Sequence, residues 1–378
     1  MTDGTGKDDP QGMTYEKTGV NYGYMDPFKL LCQLAAMKTA KYLERFGFTE
    51  IAESRGESAY VLDIGEFLLA FVVEGLGTKN KVAEAMYETI GHAFGKSYHD
   101  HVSQCNFAMN VNDLATVGAD PFLVGMYLAA GNASWFKDEQ RNNDVVNGFR
   151  ESCDIARCTW GGGETPTLRD IIYPDTVDLA GAALGVIRPK KNVLLGSKIR
   201  HGDAIILIAS TGIHANGLTL ARDIAAKLRN GYHTVLPSGR YYGEALLDQT
   251  KIYSPLVSAC AGLLHYAVNI TGHGLRKLMR AQQPFAYVVE KFHKPPEIFP
   301  FMLEHGPVDV REAFGNLNMG EGYALYAPQQ NAETVCDIAK KLGYDAIVAG
   351  YIEKSEKRRV SLKVGEGIDF DENDLKVR

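Results

Sequence analysis

The sequence predicts an α/β protein made of two domains. Short apolar runs that end at glycine or proline alternate with stretches of helical periodicity in both halves of the chain. The length of 378 residues corresponds to about two domains of ordinary size. A basic segment that contains a proline, residues 188–191, follows an apolar run and is typical of a domain boundary. We therefore expect an N-terminal domain over residues 1–188 and a C-terminal domain over residues 189–378.

The composition excludes several classes of protein. Hydrophobic residues make up 45% and charged residues 23% of the chain, which excludes a chain that is disordered throughout. The formal net charge of −6 argues against a protein that coats nucleic acid or binds a membrane surface through basic residues. No apolar run reaches the ~18 residues of a membrane-spanning helix, and the polar N-terminus lacks the apolar core of a signal peptide. We expect a cytoplasmic protein with no nucleic-acid or membrane partner.

The six cysteines give no sign of a metal site or a disulfide framework. Only Cys153 and Cys158 lie close together in the sequence, and their spacing matches no common zinc-binding pattern. We therefore expect reduced thiols that are mostly buried.

Four helices and four strands are predicted in the N-terminal half. Leucines at helical spacing predict the first helix, and paired apolar runs around a glycine-bearing turn predict the first two strands. The fourth helix is amphipathic, and glycine or proline bounds the other elements. The predicted helices cover residues 27–46, 82–91, 103–118 and 138–157, and the strands cover residues 60–64, 67–73, 122–130 and 177–187.

The C-terminal half repeats strand, turn and helix. Residues 204–209 (AIILIA) form a continuous apolar run, which is typical of a strand buried on both faces. Further strands are predicted over 268–270, 323–326 and 346–352, and helices over 218–229, 255–266, 275–280 and 332–342. Strands mixed with helices on both sides of the boundary favour two α/β layers over a single barrel.

Four glycine-rich turns are the candidates for ligand binding. They cover residues 74–79, 161–165, 212–217 and 271–274. Glycine lets the backbone approach a ligand, and a helix N-terminus favours an anion such as phosphate. Each turn by itself can be a plain chain reversal, but each also carries Asn, Thr, His or a carboxylate. None has the spacing of a P-loop or of a GxGxxG dinucleotide turn.

Carboxylates and histidines in or beside these turns are the candidate chemical groups. Asp113 lies in an otherwise apolar helix, so it must be solvated on one face, paired, or bound to a cation. Mg²⁺ takes carboxylates together with substrate phosphates, which makes Asp113 and Glu74 candidate Mg-nucleotide ligands. His214 and His273 lie in glycine turns just before helices, where a ligand can approach. The remaining polar-flanked histidines are expected at the surface: His99, His101, His201, His233 and His305.

Taken in order, these motifs resemble the phosphoribosylformylglycinamidine cyclo-ligase family, also called aminoimidazole ribonucleotide (AIR) synthetase. The matching segments are TYEKTGVN (14–21), EGLGTK (74–79), VNDLATVGADP (111–121), GGET (162–165), DLAGAALGVI (178–187), GIHANG (212–217), ITGHG (270–274), NMGEGY (318–323) and AGYIE (349–353). The family belongs to a superfamily with thiamine-monophosphate kinase and selenophosphate synthetase. The resemblance implies a two-domain α/β (α+β) fold, in which the N-terminal domains of two subunits pair into a β-barrel.

The resemblance also implies a reaction and a set of site residues. ATP phosphorylates the amide oxygen of formylglycinamidine ribonucleotide, a ribonucleotide phosphate, and an internal nitrogen then closes the imidazole ring. Mg²⁺ would bind Glu74 and Asp113, and the implied catalytic residues are His214, Asp113 and Lys79. The implied ATP-binding residues are Glu74, Gly75, Gly77, Thr78, Lys79, Asn112, Asp113, Gly162, Gly163, Glu164 and Thr165. The implied substrate-binding residues are His214, Asn216, Gly217, Thr271, Gly272, His273 and Gly274.

Several positions depart from the family pattern. Glu74 replaces an aspartate, His273 replaces a glycine, and Asn269 stands where the family has histidine. Residues 52–58 contain one glycine in place of a glycine-rich loop, and the segment after GGE also differs. Two alternatives therefore remain: an ATP-dependent amide-activating paralogue with another substrate, and a nucleotide-binding dimer without catalysis.

Overall fold

Two β-sheets, one in each half of the chain, organise the structure. The computed structural model describes residues 13, 18–19 and 22–375, so the predicted polar tail and most of TYEKTGVN lie outside the described residues. The elements of the N-terminal half are α1 (Tyr22–Met37), β1 (Thr49–Glu50), β2 (Tyr60–Asp63), β3 (Leu68–Gly75), α2 (Lys79–Met86), α3 (His92–Phe94), α4 (His99–Ala115), β4 (Asp120–Ala130), α5 (Glu139–Ala156), β5 (Thr159–Glu164) and β6 (Val177–Ile187). Those of the C-terminal half are β7 (Asp203–Ala209), α6 (Leu218–Lys227), α7 (Tyr242–Leu246), α8 (Ser254–Cys260), β8 (Tyr266–Asn269), β9 (Phe285–Val289), α9 (Ile298–His305), α10 (Val310–Asn316), β10 (Glu321–Pro328), α11 (Ala332–Lys341), β11 (Ala346–Lys354), β12 (Arg359–Leu362) and β13 (Ile368–Asp371).

The first sheet is covered by helices on one face only. Its strand order is β1-β2-β3-β6-β4-β5, and α4 packs across β3 and β6. Along β3 the residues alternate, so that Leu68, Ala70 and Val72 are buried under the helices. Phe71 and Val73 point to the other face and are 43% and 61% exposed. In the described part of the chain this face of the sheet therefore exposes apolar side chains to solvent.

The second sheet has seven strands in the order β13-β12-β9-β11-β7-β10-β8. The central strand β7 is buried at each of its first six positions, because β10 and β11 flank it and helices cover both faces. The prediction of a strand buried on both faces is therefore confirmed at residues 204–209. The core of this half also includes a layer of tyrosines, among them Tyr253, Tyr266, Tyr323 and Tyr326.

Most predicted elements are present. Residues 161–165 were predicted as a glycine-rich turn, but Thr159–Glu164 form strand β5, which pairs in parallel with β4. Here the glycines serve close strand packing, since a Cβ on Gly163 would lie 1.9 Å from the carbonyl oxygen of Met126. The predicted helix over 255–266 ends at Cys260, and Tyr266 already belongs to β8. The prediction did not include β1, α3, α7, β9, α9, α10, β12 or β13.

The surface prediction for His99 is wrong, and the helix predicted over residues 27–46 instead begins at Tyr22 and ends at Met37. His99 is fully buried, and its Nε2 lies 3.2 Å from Oε1 of Glu84, which also accepts hydrogen bonds from Trp135 and Arg141. The helix predicted from the leucine spacing is present as α1, but Leu31 and Leu34 are 65% and 50% exposed. Its apolar stripe is therefore not packed against the rest of the described chain.

A buried histidine–glutamate pair fixes the segment before α9 to the start of β10. The fully buried carboxylate of Glu321 accepts hydrogen bonds from the backbone N–H and from Nδ1 of His293, both at 2.7 Å, and Asp345 lies 3.6 Å from Nε2. Burial alone would lower the pKa of His293, but the hydrogen bond and charge of Glu321 outweigh burial and raise it. Since the folded pKa exceeds the unfolded value, the pair stabilises the fold below about pH 6.5, and this contribution disappears as the pH rises through the folded pKa.

His293→Gln is therefore expected to destabilise the protein more at pH 6 than at pH 9. The amide keeps the shape and a neutral hydrogen bond but not the charge, so the expected loss at pH 6 is about 1.5–3 kcal/mol. Urea unfolding of both proteins across this pH range measures the difference. His201→Gln, at an exposed position, serves as the control. A loss that is equal at both pH values would contradict the assignment of a charged pair.

Candidate active site

An acidic pair lies where the first sheet meets α4. Glu74 is near the end of β3, Asp113 is in the last turn of α4, and the two carboxyl groups lie close enough for Asp113 to act on the pKa of Glu74. Asp113 also accepts a hydrogen bond from Nδ2 of Asn269 at 2.6 Å. Burial raises the pKa of Glu74, and the neighbouring charge of Asp113 raises it further. Glu74 therefore keeps its proton to a higher pH than an exposed carboxyl group does.

A buried lysine compensates the acidic pair. The ammonium of Lys277 donates hydrogen bonds to Oγ1 of Thr271 and to the carbonyl oxygen of Asn269. Burial lowers the pKa of Lys277, while the charges of Asp113 and Glu74 act in the opposite direction. The sequence analysis did not identify Lys277. It could have been found by the signal that identified Asp113, because a charged residue in the apolar context GLRKLM also needs a buried partner.

The turn over 212–217 is held by a second buried lysine. Lys79, at the start of α2, is fully buried, and its ammonium donates to the carbonyl oxygens of His214 at 3.0 Å and Asp248 at 2.6 Å. Lys79 thus joins the two halves of the chain through charge-assisted hydrogen bonds. His214 has a positive φ of 60°, a conformation that non-glycine residues adopt at an energetic cost and often at functional sites.

The imidazole of His214 is neutral. Its Nε2 accepts a hydrogen bond from the backbone N–H of Thr211 at 3.3 Å, which places the proton on Nδ1. Burial lowers the pKa of His214 to about 3, and the charge of Lys79 adds to this effect. Two buried polar atoms beside this group have no partner in the structure: Oγ1 of Thr78 and Nδ2 of Asn216. Unpaired buried groups of this kind are typical of a site that binds a polar ligand.

The start of β10 connects the acidic pair to the turn over residues 212–217. Gly322 lies against the side chains of His214 and Tyr253, and any Cβ there would overlap the Tyr253 hydroxyl at 1.9 Å. The next residue, Tyr323, pairs across the sheet with Asn269 and donates its hydroxyl to the carbonyl oxygen of Asn112 at 2.9 Å. The turns over 74–79, 212–217 and 271–274 therefore converge at the junction of the two halves.

One predicted group lies apart from this junction within a single chain. Across the first sheet, Glu74 pairs with Gly181, Gly181 with Met126, and Met126 with Gly163. Three strand spacings amount to about 14 Å. The exposed end of the edge strand β5 is therefore distant from the acidic pair. This segment consists of Gly162, Gly163, Glu164 and Thr165.

Asn112 is occupied by structural contacts. Its Nδ2 donates to the carbonyl oxygen of Lys251 at 2.8 Å, and its Oδ1 accepts from the backbone N–H of Tyr253 at 2.6 Å. This side chain fixes α4 to the segment before α8, and in doing so it fixes the position of Asp113.

The donor set at the junction fits a hard cation shared with a ligand. Within the described residues, no three His, Cys, Asp or Glu side chains are arranged to enclose a metal ion. Mg²⁺ commonly takes one or two protein carboxylates and completes its shell with water and phosphate oxygens. Glu74 and Asp113 match that pattern. Among the helices of the described chain, none has the length and hydropathy required to cross a membrane.

Lys79→Met is expected to lower both stability and activity. The methionine fills the space but leaves two buried carbonyl oxygens without a donor, which should reduce the free energy of unfolding by about 2–3 kcal/mol. Urea unfolding and steady-state kinetics measure the two effects. Lys81→Met, two residues further along α2 and only partly buried, is the matched control. Equal behaviour of the two variants would show that the Lys79 contacts do not hold the 212–217 turn.

The fold and the site define the class of this protein. The model of the AIR synthase related protein N-terminal domain matches residues 56–187, and that of the C-terminal domain matches residues 200–363. AaThiL in complex with AMPPCP and TMP superimposes with a TM-score of 0.59 at 12% identity, covering 93% of this chain and 99% of that chain. HypE in a HypE–HypF complex gives a TM-score of 0.57 at 12% identity, covering 83% and 93%. The chain is a two-domain protein of the AIR-synthase type, and the predicted fold class is confirmed.

Closer relatives identify the family within this class. Phosphoribosylformylglycinamidine cyclo-ligase of Methanosarcina acetivorans is 36% identical over 290 residues, which cover 75% of this chain and 80% of that protein. The cyclo-ligase of Thermococcus kodakarensis is 37% identical over 302 residues, covering 77% and 81%. That of Methanococcus maripaludis is 32% identical over 353 residues, covering 91% and 93%. This chain belongs to the phosphoribosylformylglycinamidine cyclo-ligase family, whose members are ligases that form a C–N bond.

Proposed function

We propose that this chain catalyses the reaction of its family, the ATP-dependent closure of formylglycinamidine ribonucleotide to 5-aminoimidazole ribonucleotide in purine biosynthesis. The γ-phosphoryl group of ATP is transferred to the amide oxygen, which converts a poor leaving group into phosphate. An internal nitrogen then attacks the activated carbon, phosphate departs, and ADP is the other product. The observation that carries the proposal is the acidic pair of Glu74 and Asp113, balanced by Lys277, at the convergence of three glycine-rich turns. A cytoplasmic location is part of the proposal.

The acidic pair is proposed to hold Mg²⁺, which neutralises charge on the transferred phosphoryl group when bound. The N-terminus of α2, with Gly77 and Thr78 before it, presents backbone N–H groups and the unpaired Thr78 hydroxyl toward the same region. Glu74 reaches one methylene further than the aspartate of the family. The effect of Asp113 on the pKa of Glu74 supports the proposal that the longer side chain still reaches its partner.

His214 is proposed to act as a neutral hydrogen-bond donor. With a pKa near 3, it carries no charge at neutral pH, so donation from Nδ1 to the amide oxygen fits its state better than transfer of a proton from an imidazolium. Nδ2 of Asn216 supplies a second donor in the same turn. Lys79 acts through the backbone of His214 and is therefore a positioning residue. The turn over Thr271, Gly272, His273 and Gly274 adjoins the acidic pair through Lys277 and is proposed to contact the substrate.

A homodimer is proposed to complete the nucleotide site. The face of the first sheet that carries Phe71 and Val73 is apolar and uncovered, and Phe122 on β4 is also 42% exposed. Pairing of two such faces would bury this surface. Within one chain, the exposed segment of Gly162, Gly163, Glu164 and Thr165 lies about 14 Å from the acidic pair. In a dimer this segment could approach the acidic pair of the other subunit instead.

The direct test measures ADP release with formylglycinamidine ribonucleotide as substrate. Wild-type protein should form the aminoimidazole product, and His214→Ala should lower kcat by about 10²-fold, as loss of a donor to the reacting oxygen does. His201→Ala, at an exposed position, should leave kcat unchanged. Turnover only with a different amide would support a paralogue, and ATP binding without turnover would support a non-catalytic dimer. Either result would overturn the proposal.

A further inference from the structure

Two cysteines meet at the C-terminus of α5. The helix ends in Arg157, which has the left-handed conformation with φ 55°, and the backbone N–H of Cys158 donates to the carbonyl oxygen of Cys153 at 3.1 Å. A hydrogen bond that spans six residues, with a left-handed residue just before its donor, defines the Schellman motif. In this motif the first and last side chains come into contact. The positions that contact each other in this cap are Cys153 and Cys158.

The thiols contact each other as this cap requires. Each thiol is the largest cause of the other's pKa shift, as expected for two sulfur atoms in contact. The Cys158 thiol lowers the pKa of Cys153, and the Cys153 thiol raises the pKa of Cys158. Cys153 is nearly buried on the inner face of α5, and Cys158 is only partly buried, so a small molecule reaches the pair from the Cys158 side.

The surroundings hold the pair rigidly. Phe149 lies one turn before Cys153 on the same face of α5, and Trp160 lies two residues after Cys158 on the same side of β5. Their rings are 4.7 Å apart, so a second contact joins helix and strand next to the thiols. The indole N–H of Trp160 donates to the carbonyl oxygen of Gly162 at 2.9 Å, which continues the connection into the GGET segment.

We propose that Cys153 and Cys158 form a peroxide-reactive dithiol site that closes to an intramolecular disulfide. The Cys153 thiolate attacks the O–O bond of a peroxide and forms a sulfenic acid, and the leaving oxygen departs as hydroxide, which is protonated to water. The Cys158 thiol then attacks the sulfenic sulfur and expels a second water. Two thiols and one hydrogen peroxide thus give one disulfide and two water molecules, and the two electrons pass from sulfur to peroxide.

The chain contains a second cysteine pair that serves as an internal comparison. Cys260 of α8 and Cys336 of α11 pack in the same part of the core, and burial raises the pKa of both thiols. Since the thiolate is the reactive form, this pair should stay reduced under conditions that oxidise the first pair.

The test treats the full-length protein with low hydrogen peroxide and maps disulfides by mass spectrometry of peptides. The expected result is a Cys153–Cys158 crosslink and the loss of two free thiols, which dithiothreitol reverses. Cys158→Ser should leave a sulfenic acid on Cys153 that a dimedone-type reagent traps, and Cys153→Ser should leave none at Cys158. Cys260→Ser should leave the crosslink unchanged.

Three results would overturn the proposal. These are a crosslink between Cys260 and Cys336 alone, oxidation of all cysteines at similar rates, or no crosslink at peroxide concentrations that oxidise free cysteine. The readout is independent of turnover, so failure of the proposed ligase function would not affect it.

Discussion

Asp113→Asn is expected to lower kcat of the proposed ATP-dependent ring closure by about 10³-fold or more. The amide has the same shape as the carboxylate but neither binds Mg²⁺ as strongly nor offsets Lys277. Asn269 donates to Asp113 through Nδ2, and the new amide presents either an oxygen or an NH₂ group to it, so the local geometry can persist by rotation. The effect should therefore appear in catalysis and in nucleotide binding with Mg²⁺ rather than in folding.

Steady-state kinetics together with calorimetric titration of Mg–ATP separate these effects. Asp154→Asn changes the same residue type on the exposed surface of α5, where Asp154 pairs with Arg150, and should leave both quantities unchanged. Full activity of Asp113→Asn would remove the acidic pair from the mechanism. An Asp113→Asn protein that fails to fold would show up as altered circular dichroism, and Glu74→Gln then tests the other half of the pair with the same expectation.

The sequence was sufficient for the parts of the fold whose signals are local. Residues 204–209 are a run of apolar side chains, and no other structure buries such a run as well as a central strand does. Residues 177–187 alternate in burial as a strand should, and their bounds were predicted correctly. The turn predicted from the glycines of residues 161–165 was wrong. The strand there forms by pairing with β4, a long-range contact that a local preference cannot indicate.

Some residues of the candidate site could also be found from local sequence signals, and others could not. Asp113 was found because a carboxylate in an apolar helix needs an explanation, and in the structure Glu74 is close enough for Asp113 to raise its pKa, while their shared role in Mg²⁺ binding stays a prediction. His99 was placed at the surface from its polar neighbours, yet Glu84 and Trp135 enclose it. The partner of a buried charge comes from a distant part of the chain, as Lys277 does for Asp113, and nothing in the neighbouring sequence specifies which one.

Lys277→Met should destabilise the protein by about 3–5 kcal/mol above about pH 8, because it removes the buried cation that balances the charge of the acidic pair. The loss should depend on pH in a defined direction. The pKa of Glu74 is already raised by burial and by Asp113, and without the ammonium it rises further. An acid whose folded pKa exceeds its unfolded value loses stability as the pH rises above the unfolded value, about 4.3. Since the pKa of Glu74 is about 8 with Lys277 present, the Glu74 contribution to the difference from wild type should be small near neutral pH and grow as the pH rises above about 8.

Urea unfolding at several pH values measures this trend, and Lys340→Met on the exposed side of α11 provides the control. Millimolar Mg²⁺ should restore part of the lost stability, since a bound cation takes over the neutralisation of Glu74 and Asp113. A loss that is independent of both pH and Mg²⁺ would mean that Lys277 acts by packing alone. In that case the proximity of the ammonium to the acidic pair would have no electrostatic consequence, and the charge balance proposed for the site would be wrong.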